Sequence, residues 1–177
     1  FLDPITGGGT AERTVQMSRA LRDAGMDCTI MTTDIGFRND PLPGLNGIRV
    51  LAYRCFLKRF YLPRVRLSEI RSEVDGVDVI HLMGHWTALN ALVYFFARSM
   101  RKPYVVCPAG ALPIYGRSKM LKRFYNWVVG KRVIRNASAW IAITSDECVQ
   151  FESYGVRRNM VTVIPNGINP ADFPLTD

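Results

Sequence analysis

The feature of this sequence that most restricts its fold is the recurrence of short apolar, β-branched segments separated by stretches of helical periodicity. Six segments read as strands: Cys28 to Thr33, Ile48 to Tyr53, Val77 to Met83, Tyr104 to Cys107, Trp140 to Thr144 and Val161 to Ile164. The run Val77-Asp78-Val79-Ile80-His81-Leu82-Met83 lacks clean alternation, as a strand covered on both faces does. Strands of this kind joined through helices form parallel βα units, so the predicted fold is α/β, a Rossmann-like doubly wound parallel sheet.

The helical stretches have readable ends. Ala11 to about Ala24 places Met17, Ala20, Leu21 and Ala24 on one face, with Gly25 as the stop. Trp86 to Met100 is apolar nearly all round and closes with Arg98, Arg101 and Lys102, the pattern of a buried core helix with cations at its C-terminal end. Thr144-Ser145-Asp146-Glu147 has capping-box spacing and opens a helix that Gly155 ends.

With 177 residues, 48% of them apolar, the chain suits one well-buried domain better than two. Cys28, Cys55, Cys107 and Cys148 are far apart with no C-x-x-C pair, which favours reduced core thiols in a cytosolic protein over metal or disulfide roles. No apolar stretch approaches the ~20 residues that span a bilayer, and no signal peptide is visible. The chain opens on Phe1-Leu2-Asp3-Pro4 without a methionine, as if a first strand had been trimmed. The net charge of +8 is uneven. Basic and aromatic residues mix from Arg54 to Arg66, and Arg117 to Arg135 holds seven basic residues and no acidic one. Such mixtures suit anionic surfaces, although solvated helix faces give the same pattern.

Thr6-Gly7-Gly8-Gly9-Thr10 lies just before the first helix, and this loop between a strand and a helix is a candidate phosphate site. Glycines allow close backbone approach, and a helix N-terminus supplies free N–H groups with partial positive charge. Glu12 stands where G-x-G-x-x-G needs its last glycine, and no G-x-x-x-x-G-K-[ST] occurs, so neither a standard NAD site nor a P-loop is present. A glycine-rich turn that only lets helix and strand pack accounts for the same residues.

Ligands of open parallel sheets bind beyond the carboxyl ends of the strands. The loops there hold Gly84-His85-Trp86, Pro108 to Leu112, Thr144 to Asp146 and Pro165 to Asn169. His81 lies within a strand pattern, where a histidine is commonly a hydrogen-bonded core residue; His85 lies in a loop and is the better candidate for touching substrate. These two histidines define no metal site, and no carboxylate pair or nucleophile elbow competes with them.

Taken in order, four pieces resemble the N-terminal domain of retaining family 4 glycosyltransferases of the GT-B fold, two Rossmann-like domains facing across a cleft. They are Asp3 to Gly9, Val77 to Trp86, Pro103 to Leu112 and Val161 to Asn169. The resemblance implies residues 1–165 as the acceptor-side domain, residues 166–177 as the start of an interdomain linker, and a separate donor-binding C-terminal domain that this chain lacks. It implies a hexosyltransferase that is inactive as this isolated half and moves a sugar from a nucleotide-diphosphate sugar to a saccharide or lipid-linked acceptor. The nucleotide sugar is then a co-substrate, and no metal or further cofactor is expected. Gly8, Gly9 and Thr10 become the donor-phosphate residues, and His81, His85, Trp86 and Gly110 the acceptor side, with His85 the catalytic candidate. Met83 stands where the family often has a second histidine. The implied setting is cytoplasmic, in polysaccharide or cell-envelope synthesis, with peripheral contact at the inner membrane face and no nucleic acid. A nucleotide-sugar epimerase or phosphorylase on the same plan, and a non-catalytic basic membrane-binding module, are the alternatives.

Overall fold

The computed structural model describes residues 2, 8–36, 45–57, 61–116 and 118–167. Contacts group the chain into two compact units, Phe1–Cys55 with Asn166–Asp177, and Phe56–Pro165.

In the first unit, helix α1 (Gly8–Asp23) precedes the parallel pair β1 (Thr29–Thr33) and β2 (Arg49–Tyr53), in register from Thr29 opposite Arg49 to Thr33 opposite Tyr53. Leu2, Ile30, Leu45 and Ile48 form its buried core, with Val15, Cys28 and Val50 packed against them. Helix α1 stops where the sequence indicates. Gly25 has φ +84°, and the Gly25 and Met26 amides donate to the Arg22 and Leu21 carbonyls at 2.8 and 3.0 Å. Its start differs from the expectation, because the helix opens at Gly8 and takes in Gly9 and Thr10 as its first turn. Residues 3–7, including Gly7, lie outside the described residues.

Two short strands that periodicity did not reveal, β3 (Cys55–Leu57) and β4 (Leu62–Pro63), pair with each other. The second unit then alternates strand and helix: α2 (Leu67–Asp75), β5 (Ile80–Met83), α3 (Ala88–Ser99), β6 (Tyr104–Cys107), a helical run made of α4 (Lys119–Tyr125), a π-helical turn (Asn126–Gly130) and α5 (Lys131–Arg135), then β7 (Ala139–Ala142), α6 (Ser145–Glu152) and β8 (Val161–Val163). Strands β5-β6-β7-β8 lie side by side in that order, all parallel, so the expected α/β parallel-sheet architecture stands.

Helix α3 is capped by Thr87, whose hydroxyl accepts from the Asn90 amide at 3.2 Å. It buries Leu89, Val93, Tyr94 and Ala97 but leaves Phe95 64% exposed, so the all-round apolar helix is not all-round buried. Tyr104, Val106 and Cys107 of β6, Phe151 of α6 and Ile134 of α5 are among the most deeply buried side chains. Fully burying a large apolar side chain contributes about 2 kcal/mol, so these positions anchor the unit. All four cysteines carry free thiols, with Cys107 and Cys148 buried. Among the described residues no helix is long and apolar enough to cross a membrane.

Candidate functional site

The loops at the carboxyl ends of β5, β6 and β7 are tied together by side chains. Gly84, at φ +71°, turns the chain as β5 ends, and its amide donates to the Cys107 carbonyl at 2.9 Å. His85 follows and points inward. It is only 2% exposed, packed edge-on against Trp86, Tyr125 and Tyr154 with ring centroids 4.5, 5.6 and 5.4 Å away. A loop position therefore did not mean an exposed imidazole: the aromatic rings of α4 and of the turn after α6 remove it from solvent.

The hydrogen bonds of His85 form a directed chain. A carbonyl can only accept, so the Leu112 oxygen takes the Tyr154 hydroxyl proton at 2.9 Å. The Tyr154 oxygen then accepts from Asn126 Nδ2 at 2.7 Å, which turns Asn126 Oδ1 toward His85 Nε2 at 2.9 Å. His85 Nε2 must donate, leaving Nδ1 as a buried acceptor with no hydrogen-bond partner among the described residues. Burial lowers the His85 pKa to about 4 and outweighs the opposing effect of the Asn126 hydrogen bond, so the ring is neutral at pH 7. Burial likewise raises the hydroxyl pKa values of Tyr125 and Tyr154.

Trp86 is half-buried, and its indole N–H donates to the Ala111 carbonyl. The Lys122 ammonium lies 5.3 Å from the Trp86 ring centre and 5.8 Å from that of Tyr115. Gly110 has φ +80° after Ala109 at φ +51°, a left-handed pair, and its amide donates to Glu147 Oε1. Glu147 is 1% exposed and also accepts from the Ile143 amide through Oε2 at 2.7 Å. This departs from the expected capping box. Glu147 does reach back past the helix start, but Thr144 makes no side-chain cap, and the second carboxylate oxygen holds the Gly110 loop instead.

The structure thus brings His85, Trp86 and the Gly110 loop into one cluster. His81 stands half-buried in β5, opposite Val105. Sequence reading missed Asn126, Tyr154 and Glu147, which organise the cluster. Their only local signals were a lone amide within an apolar and basic helical run and a glutamate that fitted a cap.

In the first unit, Gly8 and Gly9 are exposed at the start of a helix of 16 residues whose leading amides have no intrahelical acceptors. A Cβ on Gly9 would meet nothing closer than Asn166 Nδ2 at 3.7 Å, whereas Gly8 takes φ +54°, which strains other residues. Arg13, one turn further on and 8% exposed, donates to Asn166 Oδ1 at 3.0 Å. Ile168 and Asn169 lie outside the described residues.

A family model described as the Glycosyl transferase 4-like domain matches residues 8–167. The chain belongs to that family. Solved structures similar to this glycosyl transferase 4-like domain include Anabaena HepE in complex with UDP and glucose, at 16% identity and TM-score 0.57, the match covering 94% of this chain and 43% of that one. A glycosyltransferase from Rickettsia africae ESF-5 aligns at 17% identity and TM-score 0.60, covering 96% and 44%. The S. aureus MnaA–UDP co-structure aligns at 14% identity and TM-score 0.52, covering 89% and 42%. At these identities the likeness is one of fold, and the chain spans less than half the length of these structures. A search of curated proteins finds no match. The resemblance to family 4 glycosyltransferases and the Rossmann-like reading of this glycosyl transferase 4-like domain therefore both stand.

Proposed function

We propose that this chain supplies the acceptor-side domain of a retaining glycosyltransferase that moves a sugar from a nucleotide-diphosphate sugar to a saccharide or lipid-linked acceptor. The observation that carries the reading is the family match over residues 8–167. It is supported by the first turn of α1, whose leading amides have no intrahelical acceptors, and by the buried Arg13 one turn further on.

In this reading the Gly8, Gly9 and Thr10 amides hold the donor diphosphate. Each places a fixed N–H dipole at oxygens that gain charge as the sugar–phosphate bond breaks, with no solvent reorganisation at that moment. No metal is needed for that stabilisation. His81, Trp86 and the Gly110 loop serve the acceptor. His85 acts through its neighbours as a positioning residue: its ring spaces Trp86 from Tyr125 and Tyr154. The domain alone is inactive, because transfer also requires a donor-binding partner domain.

Uridine nucleotides are the first probe, since Anabaena HepE was solved with UDP and glucose. Calorimetric titration of the intact protein with UDP should give saturable binding that weakens by about tenfold or more in Gly9→Val, which removes close phosphate approach. The fold should tolerate the change, because a Cβ at Gly9 makes only ordinary contact. Equal UDP affinity in the two proteins would reduce the glycine run to a structural turn.

A further inference from the structure

Lys122 is a half-buried cation held between two aromatic rings of the loops that follow β5 and β6. Its ammonium lies over the Trp86 and Tyr115 rings and donates to the Tyr115 carbonyl at 3.2 Å. An ammonium has three N–H donors. Among the described residues the other two meet no hydrogen-bond acceptor and no carboxylate. No local counter-ion exists, since no Asp or Glu occurs between Arg117 and Arg135.

The rings beside this cation differ in how firmly they are held. Trp86 is fixed by its indole N–H on the Ala111 carbonyl and by the His85 and Tyr125 rings, with centroids 4.5 and 5.7 Å away. Tyr115 is 63% exposed and offers its ring to solvent. Other donors nearby are engaged. The Gly110 amide is bonded to Glu147 and the Ala111 amide to the Pro108 carbonyl at 3.1 Å, while His85 faces inward. An anion arriving here is therefore met by Lys122.

We propose that the acceptor is a saccharide bearing an acidic group, phosphate or carboxylate, which lays its ring against Tyr115 and Trp86 and its charge on Lys122. The inference rests on the acceptor-side reading of these loops and adds the chemical class of the acceptor. The C–H groups on one face of a pyranose carry partial positive charge, which matches the negative face of an aromatic ring. The two remaining Lys122 donors then make charge-assisted hydrogen bonds to the acidic group. The Tyr115 carbonyl and the two rings already restrain the ammonium, so little side-chain freedom is left to lose on binding. A neutral sugar makes the same ring contacts but gains nothing from the charge. Selectivity therefore comes from Lys122 and general sugar affinity from the rings.

The test is titration of the intact protein with glucose, glucuronate, glucose 6-phosphate and inorganic phosphate, followed by the NMR signal of the Trp86 indole N–H. Both acidic sugars should shift that signal with midpoints about tenfold or more below that of glucose. The tighter of the two identifies the acidic group. Lys122→Gln should bring their midpoints to that of glucose with the thermal midpoint unchanged, and Lys122→Arg should keep the preference. Tyr115→Leu should weaken all three sugars together. Equal midpoints for acidic and neutral sugars would overturn the proposal and leave the acceptor-side reading standing, whereas no shift with any sugar would overturn both. A preference that survives in Lys122→Gln, or inorganic phosphate binding as tightly as glucose 6-phosphate, would also overturn the proposal.

Discussion

The backbone carbonyl of Leu112 determines which nitrogen of His85 carries the proton. The two residues do not touch; Tyr154 and Asn126 relay the constraint, each accepting on one side and donating on the other. The consequence is a neutral imidazole held in one orientation inside an aromatic cage, at the point where three strand-end loops meet.

His85→Ala should therefore destabilise the fold. It removes a ring buried against three others and leaves Asn126 Oδ1 without its donor, for a combined cost of about 2–4 kcal/mol. Urea denaturation measures it. A loss under about 0.5 kcal/mol, the range of ordinary surface substitutions, would mean that the ring is not packed as described.

The same burial makes stability depend on pH. The folded pKa is lowered to about 4 from 6.5, so the unfolded state takes up a proton at a higher pH than the folded state. The stabilisation from His85 is fully present above pH 6.5 and declines as pH falls through the window down to about 4. A shift of this size corresponds to about 3 kcal/mol across the window, with a limiting slope of about 1.4 kcal/mol per pH unit. Denaturation series at several pH values should show this slope in the wild type and lose it in His85→Gln. An identical slope in both proteins would assign the pH dependence to other groups.

Gly130 has no room for a side chain. A Cβ there would collide with Asn126 Oδ1 and lie 2.9 Å from Tyr125 Cδ1, both part of the His85 cage. Gly130→Ala should gain helix propensity yet still cost about 1–3 kcal/mol through overpacking. In a double-mutant cycle with Asn126→Ala the two losses should be less than additive, because the second change removes the atom that the first displaces. Additive losses would separate the two sites.

Glu147→Gln should loosen the loop around Gly110. The carboxylate accepts one backbone N–H on each oxygen, whereas an amide must turn its NH2 group toward one of those donors. The expected cost is about 1–3 kcal/mol, together with faster amide exchange at Gly110 and Ile143 than elsewhere in the sheet. Unchanged exchange at both amides would argue against the clamp.

Strand positions, several helix ends and the alternating α/β order were legible in the chain itself, because each depends on neighbours a few residues away. Gly25 and Gly155 end their helices at φ +84° as their positions indicate, and Tyr104 to Cys107 is a strand over the expected residues. The candidate site was legible only in part. The loops that carry it could be located, and His85, Trp86 and Gly110 fall in them; in the other unit, Gly8 to Thr10 fall at the start of the first helix. Their states could not. Whether the glycines precede or open the helix, whether His85 faces water or protein, and which face of Lys119 to Arg135 stays uncovered all depend on distant contacts. His85 meets Asn126 41 positions along the chain, Asn126 meets Tyr154 28 positions on, and Gly110 meets Glu147 37 positions on. Hydrophobic period and turn preference act over a turn or a strand, so the sequence by itself determined which elements form; packing among remote elements decided which of their side chains are buried, hydrogen-bonded or left exposed.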